Sequence, residues 1–125
     1  MMMLNRKLHR ASNRVKFENF ALDGVLGCDM HGKIAGVIGM GKIGTMTCRL
    51  LHGFGCRVLA HDVVENIHVR ELGDTYVSMN ELLSVSDILT TLHAPLTSAT
   101  RHAIIDSAIV PMKQGVMFIN TSRGA

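Results

Sequence analysis

Six consecutive residues, Gly39-Met40-Gly41-Lys42-Ile43-Gly44, and one acid, Asp62, carry the clearest chemical pattern in the chain. Glycine triplets of this spacing arise by chance, so the surroundings decide what the pattern means. A nearly continuous apolar run, Ile34, Ala35, Val37 and Ile38, precedes the turn, as in a strand buried on both faces. Ile43, Met46, Thr47, Leu50, Leu51 and Phe54 follow it at helical spacing. Gly39 permits a tight turn, Gly41 lets the backbone approach a pyrophosphate, and Gly44 lets the helix pack close to the strand. The helix start offers N–H groups and partial positive charge to an anion. Asp62, eighteen residues past the third glycine, closes a second strand. Its carboxylate accepts hydrogen bonds from ribose hydroxyls and repels a 2′-phosphate, which favours NAD over NADP. Arg57 and Arg70 do not stand where they would reverse that preference. A site of this shape also suits S-adenosylmethionine, so the motif by itself specifies an adenosine cofactor more firmly than NAD.

The elements that must position these residues follow from the pattern of apolar residues. Residues 5–20 read as a helix with Leu8, Ala11, Val15 and Asn19 on one stripe, and Asp23-Gly24 and Gly27 break it. Strands are expected over 33–39, 57–61, 87–93 and 115–120. Helices are expected from Ile43 to the Gly53/Gly55 stop, over 65–72, over 79–85 and over 104–112, the last limited by Pro111. Residues 75–77 are too short to assign. Strands alternating with helices imply right-handed crossovers and a parallel sheet. The predicted fold is α/β: a Rossmann-like doubly wound parallel sheet, incomplete, preceded by an N-terminal helix. Residues 1–30 are expected to form that helical segment and residues 31–125 a partial dinucleotide-binding domain.

Composition narrows the function classes. The 125 residues are 47% hydrophobic and 18% charged, enough for one packed core. No apolar run is long enough for a membrane span. Four Phe, one Tyr and no Trp argue against a stacking platform for nucleic acid. The net charge of +3 is uneven: Arg6, Lys7, Arg10, Arg14 and Lys16 lie in residues 1–17 with no acid, so the rest is mildly acidic. That basic start reads as a solvated helix face, with a transit peptide or a nucleic-acid or membrane patch as the competing readings. Cys28, Cys48 and Cys56 fit no zinc spacing and are expected to be reduced and mostly buried, in a reducing, cytoplasmic setting. His9, His31, His52, His61, His68 and His102 show no metal-binding spacing, and no metal is expected.

Three further segments add to the glycine turn: His93-Ala94-Pro95-Leu96-Thr97, Met112-Lys113-Gln114-Gly115, and Asn120-Thr121-Ser122-Arg123-Gly124. With it they resemble the NAD-binding domain of the D-isomer-specific 2-hydroxyacid dehydrogenases. The stretch from Asn13 to Leu22 resembles the fermentative D-lactate dehydrogenase branch. The resemblance implies that Lys42 and Ile43 present N–H groups to the pyrophosphate and that Asp62 takes the ribose. It implies that Ala94 and Pro95 line the adenosine half, that Thr100 touches the cofactor, and that Thr121 and Ser122 lie along the nicotinamide side. Arg123 matches the arginine that holds the substrate carboxylate, a two-pronged pairing suited to a planar α-keto acid. His93 is expected to be pocket wall and not proton donor. Val63-Val64 departs from the proline-containing turn the family carries after the acid.

The family also has a substrate domain and a glutamate–histidine pair that supplies the proton, neither found in these residues. The chain is therefore expected to be a fragment of an enzyme interconverting pyruvate and D-lactate, a homodimer in full-length form acting on small 2-keto and 2-hydroxy acids. By itself it is expected to bind NAD(H) without pyruvate-dependent loss of NADH absorbance. Its last strand, around Val116, Phe118 and Ile119, is expected to leave an open sheet edge that promotes self-association. A non-catalytic NAD-sensing module is the competing reading from another class, and a methyltransferase the third.

Overall fold

In a computed structural model, residues 1–91, 93, 104 and 106–121 are described. Five strands form one sheet: β1 (Ile34–Ile38), β2 (Arg57–His61), β3 (Thr75–Tyr76), β4 (Ile88–Thr91) and β5 (Met117–Asn120). Their order across it is β3-β2-β1-β4-β5, with every pairing parallel. Helices connect them: α3 (Lys42–Gly53) between β1 and β2, α4 (Ile67–Glu71) before β3, α5 (Met79–Val85) before β4, and α6 (Asp106–Ile109) before β5. This is the expected Rossmann-like architecture.

Side-chain alternation along the strands divides the core in two. Ala35, Val37, Val58, Ala60 and Ile88 point to one face, where Cys48 and Leu51 of α3 and Val69 of α4 cover them. Ile38, Leu59 and Leu89 point to the other, against Leu82 and Leu83 of α5, with Ile104, Ala108 and Met112 packed alongside. Central strands buried on both faces must be apolar at successive positions, which is why β1 and β2 read as continuous runs and not as alternations.

Several expected boundaries shift. Thr75 and Tyr76 do form a strand, held on β2 through the register Leu59↔Thr75 and Ala60↔Tyr76. The helix expected over 104–112 is a single turn, α6, which ends before Pro111, a residue that cannot supply the N–H the next turn needs. The helix expected over 5–20 is two, α1 (Met2–Asn5) and α2 (Leu8–Lys16), separated by Lys7 in the left-handed region at φ 47°. No residue of α2 is buried, and Leu8 and Val15 of the expected apolar stripe are half exposed. Met1 and Met2 pack against the core, and polar contacts hold the rest of this segment. The side chain of Asn5 donates to the Cys28 carbonyl at 2.8 Å and accepts from the Cys28 N–H at 2.9 Å, and the Arg14 guanidinium donates to the Ala21 and Asp23 carbonyls. Cys48 and Cys56 are buried, as expected for most of the cysteines; Cys28 is exposed, and its thiol also donates to Asn5 Oδ1 at 3.3 Å. β5 ends the sheet with Phe118 partly exposed.

Candidate functional site

Since all strand pairs are parallel, the carboxyl ends of the strands meet at one edge of the sheet. There β1 leads into the glycine turn and β2 into Asp62. The winding reverses at β1, with β2 and β3 to one side and β4 and β5 to the other. Loops that diverge at such a point leave a crevice outside the strand ends, where open α/β sheets take their ligands.

Gly39 has φ +90°, and its N–H extends the ladder to the His61 carbonyl at 2.9 Å. A Cβ on Gly44 would overlap the Gly39 carbonyl oxygen, so α3 could not begin this close to β1. Gly41 is different. Its φ of −68° suits any residue, and among the described residues no atom beyond its chain neighbours lies within 4 Å of where its Cβ would stand. Nothing in the packing of the described residues asks for glycine there. The open space lies at the start of α3, whose first turn carries no side-chain cap. First-turn N–H groups have no partner inside a helix, so Lys42, Ile43 and Gly44 present theirs at this end. A pyrophosphate fits this cradle by charge, by donor geometry and by the space that a side chain at position 41 would fill.

Asp62, half-buried, does more than the sequence reading gave it. One carboxylate oxygen accepts the Met40 N–H at 2.5 Å and the other the Val63 N–H at 2.6 Å. The acid therefore pins the turn. Each oxygen keeps a further lone pair, which is the capacity that sugar hydroxyls would use. Arg70 is engaged elsewhere: its Nε donates to Glu65 at 2.7 Å and its guanidinium lies 5.8 Å from the centre of the Tyr76 ring. Arg57 opens β2, a full strand length from Asp62. Neither cation reaches the acid, as expected for a site that does not take a 2′-phosphate.

Residues that the sequence reading missed complete the turn. The Asn66 side-chain amide donates to the Met40 carbonyl at 2.9 Å and to the Thr45 hydroxyl at 3.2 Å. The Thr45 hydroxyl itself donates to the Gly41 carbonyl at 3.0 Å. Asn66 as the cap of α4 was within reach of sequence, being an Asn just before a helix. Its bond to Met40 spans 26 positions and has no local signature.

His93 follows β4, its N–H donating to the Ile38 carbonyl at 3.0 Å. Its Nε2 lies 3.3 Å from the Thr47 hydroxyl, which donates to the Ile43 carbonyl at 3.0 Å. A Thr47 hydroxyl that donates to Ile43 has a lone pair free for a ring N–H, an arrangement open to the Nε2-protonated tautomer. Burial lowers the pKa of His93. A neutral ring packed on α3 is in keeping with a wall and not with a proton donor. Thr121 follows β5, whose last residue, Asn120, pairs with Thr91, so it too stands at the carboxyl edge. Ala94, Pro95, Thr100, Ser122 and Arg123 lie outside the described residues. Among the described residues, no group of three or more His, Cys, Asp or Glu could hold a metal ion.

A parallel doubly wound sheet with a glycine-lined helix start and an acid after the second strand defines a dinucleotide-binding domain. Residues 1–125 match the family described as D-isomer specific 2-hydroxyacid dehydrogenase, NAD binding domain, and the chain belongs to that family. It is 50% identical over its whole length to the D-lactate dehydrogenase of Escherichia coli, of which it covers 38%. The apo-structure of that enzyme superposes with a TM-score of 0.96 at 49% identity, over 100% of this chain and 39% of the other. The D-lactate dehydrogenase of Aquifex aeolicus, solved with NAD and lactic acid, superposes at 0.90 with 40% identity, over 98% and 37%. The chain thus spans about two-fifths of the length of these relatives. The expected family, fold and NAD cofactor are borne out.

Proposed function

We propose that Gly39, Gly41, Lys42, Ile43 and Gly44 hold the pyrophosphate of NAD(H), that Asp62 holds its adenosine ribose, and that the whole protein interconverts pyruvate and D-lactate. The observation that carries the cofactor site is Gly41, a glycine that neither backbone conformation nor packing among the described residues requires, set before an uncapped helix start. The substrate assignment rests on the relatives, among them D-lactate dehydrogenases. Residues 31–125 form the dinucleotide-binding unit and residues 1–30 its helical lead. Ala94, Pro95 and Thr100 line the adenosine half, Thr121 and Ser122 the nicotinamide side, and Arg123 pairs with the substrate carboxylate. NAD supplies the hydride chemistry when bound; the chain's residues bind and orient it. The whole protein acts as a homodimer in the cytoplasm, in keeping with the absence, among the described residues, of any helix long and apolar enough to cross a membrane.

Calorimetric titration with NADH tests this reading. Asp62→Ala removes the acceptor for the ribose and for Met40, charge-assisted bonds worth about 1.5–3 kcal/mol each, so affinity should fall roughly a hundredfold. Heat from S-adenosylmethionine and none from NADH, or an Asp62→Ala chain that titrates like the parent, would overturn the assignment.

A further inference from the structure

We infer that Asn66 is a positioning residue for the cofactor turn, one whose role is to hold the Met40 peptide in the shape that aims the α3 start at the pyrophosphate. The inference rests on the cofactor site proposed above.

The Met40 backbone is the middle of Gly39-Met40-Gly41, flanked by two glycines and so intrinsically loose. Both of its polar groups are nevertheless fixed from outside the turn. Its N–H goes to Asp62 and its carbonyl to the Asn66 amide. The same amide reaches the Thr45 hydroxyl, 3.2 Å away, in the first turns of α3. Asn66 thus joins the turn to the helix that follows it.

Asn66 is in turn held by bonds of its own. Its Oδ1 accepts the His68 N–H at 3.0 Å and caps α4; its own N–H donates to the Tyr76 hydroxyl at 2.8 Å. The chain therefore runs from β3 through Tyr76 and Asn66 to Met40 and Thr45. Two roles are combined in one side chain: the oxygen caps a helix, and the nitrogen holds the turn. Only an amide has an acceptor and a two-hydrogen donor side by side at this length. Asp could not donate to Met40, and Ser could cap but not reach.

That separation provides the test. Asn66→Ser keeps a good cap residue and removes the nitrogen. The expected result is a thermal midpoint close to the parent's, an NADH affinity reduced about tenfold, and displaced Met40 and Gly41 amide resonances in the ¹⁵N spectrum of the ligand-free chain. Val37 and Ala60, in the strands, should not move. If the parent binds NADH and Asn66→Ser binds it within twofold, Asn66 is a helix cap only and the inference is overturned. If the folded parent gives no heat with NADH, the cofactor site itself has failed, which is a separate result. Asn66→Asp is the second variant should Asn66→Ser not fold: it keeps a cap oxygen and replaces the donating nitrogen with an acceptor, and an affinity within twofold of the parent's overturns the inference equally.

Discussion

The carboxyl edge around the glycine turn and the leading segment, residues 1–28, combine apolar and polar support in different proportions. At the edge, a few polar bonds sit on a packed base: Met40 is buried in the core while its peptide is gripped by Asp62 and Asn66. In the leading segment only Met1 and Met2 pack on the core, α2 buries nothing, Phe17, Phe20, Leu22 and Leu26 are exposed, and polar clamps at Asn5 and Arg14 hold the path. Apolar burial fixes a structure non-directionally and cooperatively, whereas individual hydrogen bonds each contribute only about 0.5–1.5 kcal/mol net. The geometry of the edge is therefore a property of the whole domain, and that of the leading segment a property of a few contacts.

The sharpest way to break the comparison lies inside the turn. Gly44→Ala forces a Cβ onto the Gly39 carbonyl and should cost about 1–3 kcal/mol or more of stability, read as a lowered midpoint in urea. Gly41→Ala meets nothing and should leave that midpoint unchanged while NADH affinity falls about tenfold or more. Equal stability losses in the two variants would mean that the turn is a structural device alone. A smaller effect belongs to the leading segment. Asn5→Ala deletes the paired bonds to Cys28 and should destabilise that segment by about 1–2 kcal/mol, seen as faster amide exchange in residues 1–28 with unchanged NADH affinity. A matching loss of cofactor affinity would show that the two regions are coupled.

The smallest effect is one of pH. Burial depresses the folded-state pKa of His93 below its ordinary value of 6.5. The unfolded chain therefore takes up the proton first as pH falls. Stability attached to the neutral ring is complete above pH 6.5 and declines as pH drops towards and through the folded-state pKa. His93→Gln should flatten that part of the stability–pH curve between pH 7 and 5; an unaltered curve would show that the ring titrates freely.

The sheet was legible because its strands and helices announce themselves by period. Arg57–His61 and Met79–Val85 fall where the pattern puts them. The leading helix was less so, since periodicity shows that a stripe exists and not whether anything covers it; the break at Lys7 turns on a single backbone torsion. The glycine positions and Asp62 were legible because each answers a local requirement of the turn or of the ligand. Asn66, Thr45 and the second duty of Asp62 were not, because they arise from bonds between residues 21 to 26 positions apart that only the folded sheet brings together.

That second duty limits how the nucleotide preference of this domain could be redesigned. Exchanging Asp62 for a neutral or basic residue is the obvious route towards a phosphorylated ribose, but the same exchange strands the Met40 N–H. Any such variant needs a substitute acceptor at that peptide, or the gain at the proposed sugar contact will be cancelled by slack in the glycine turn.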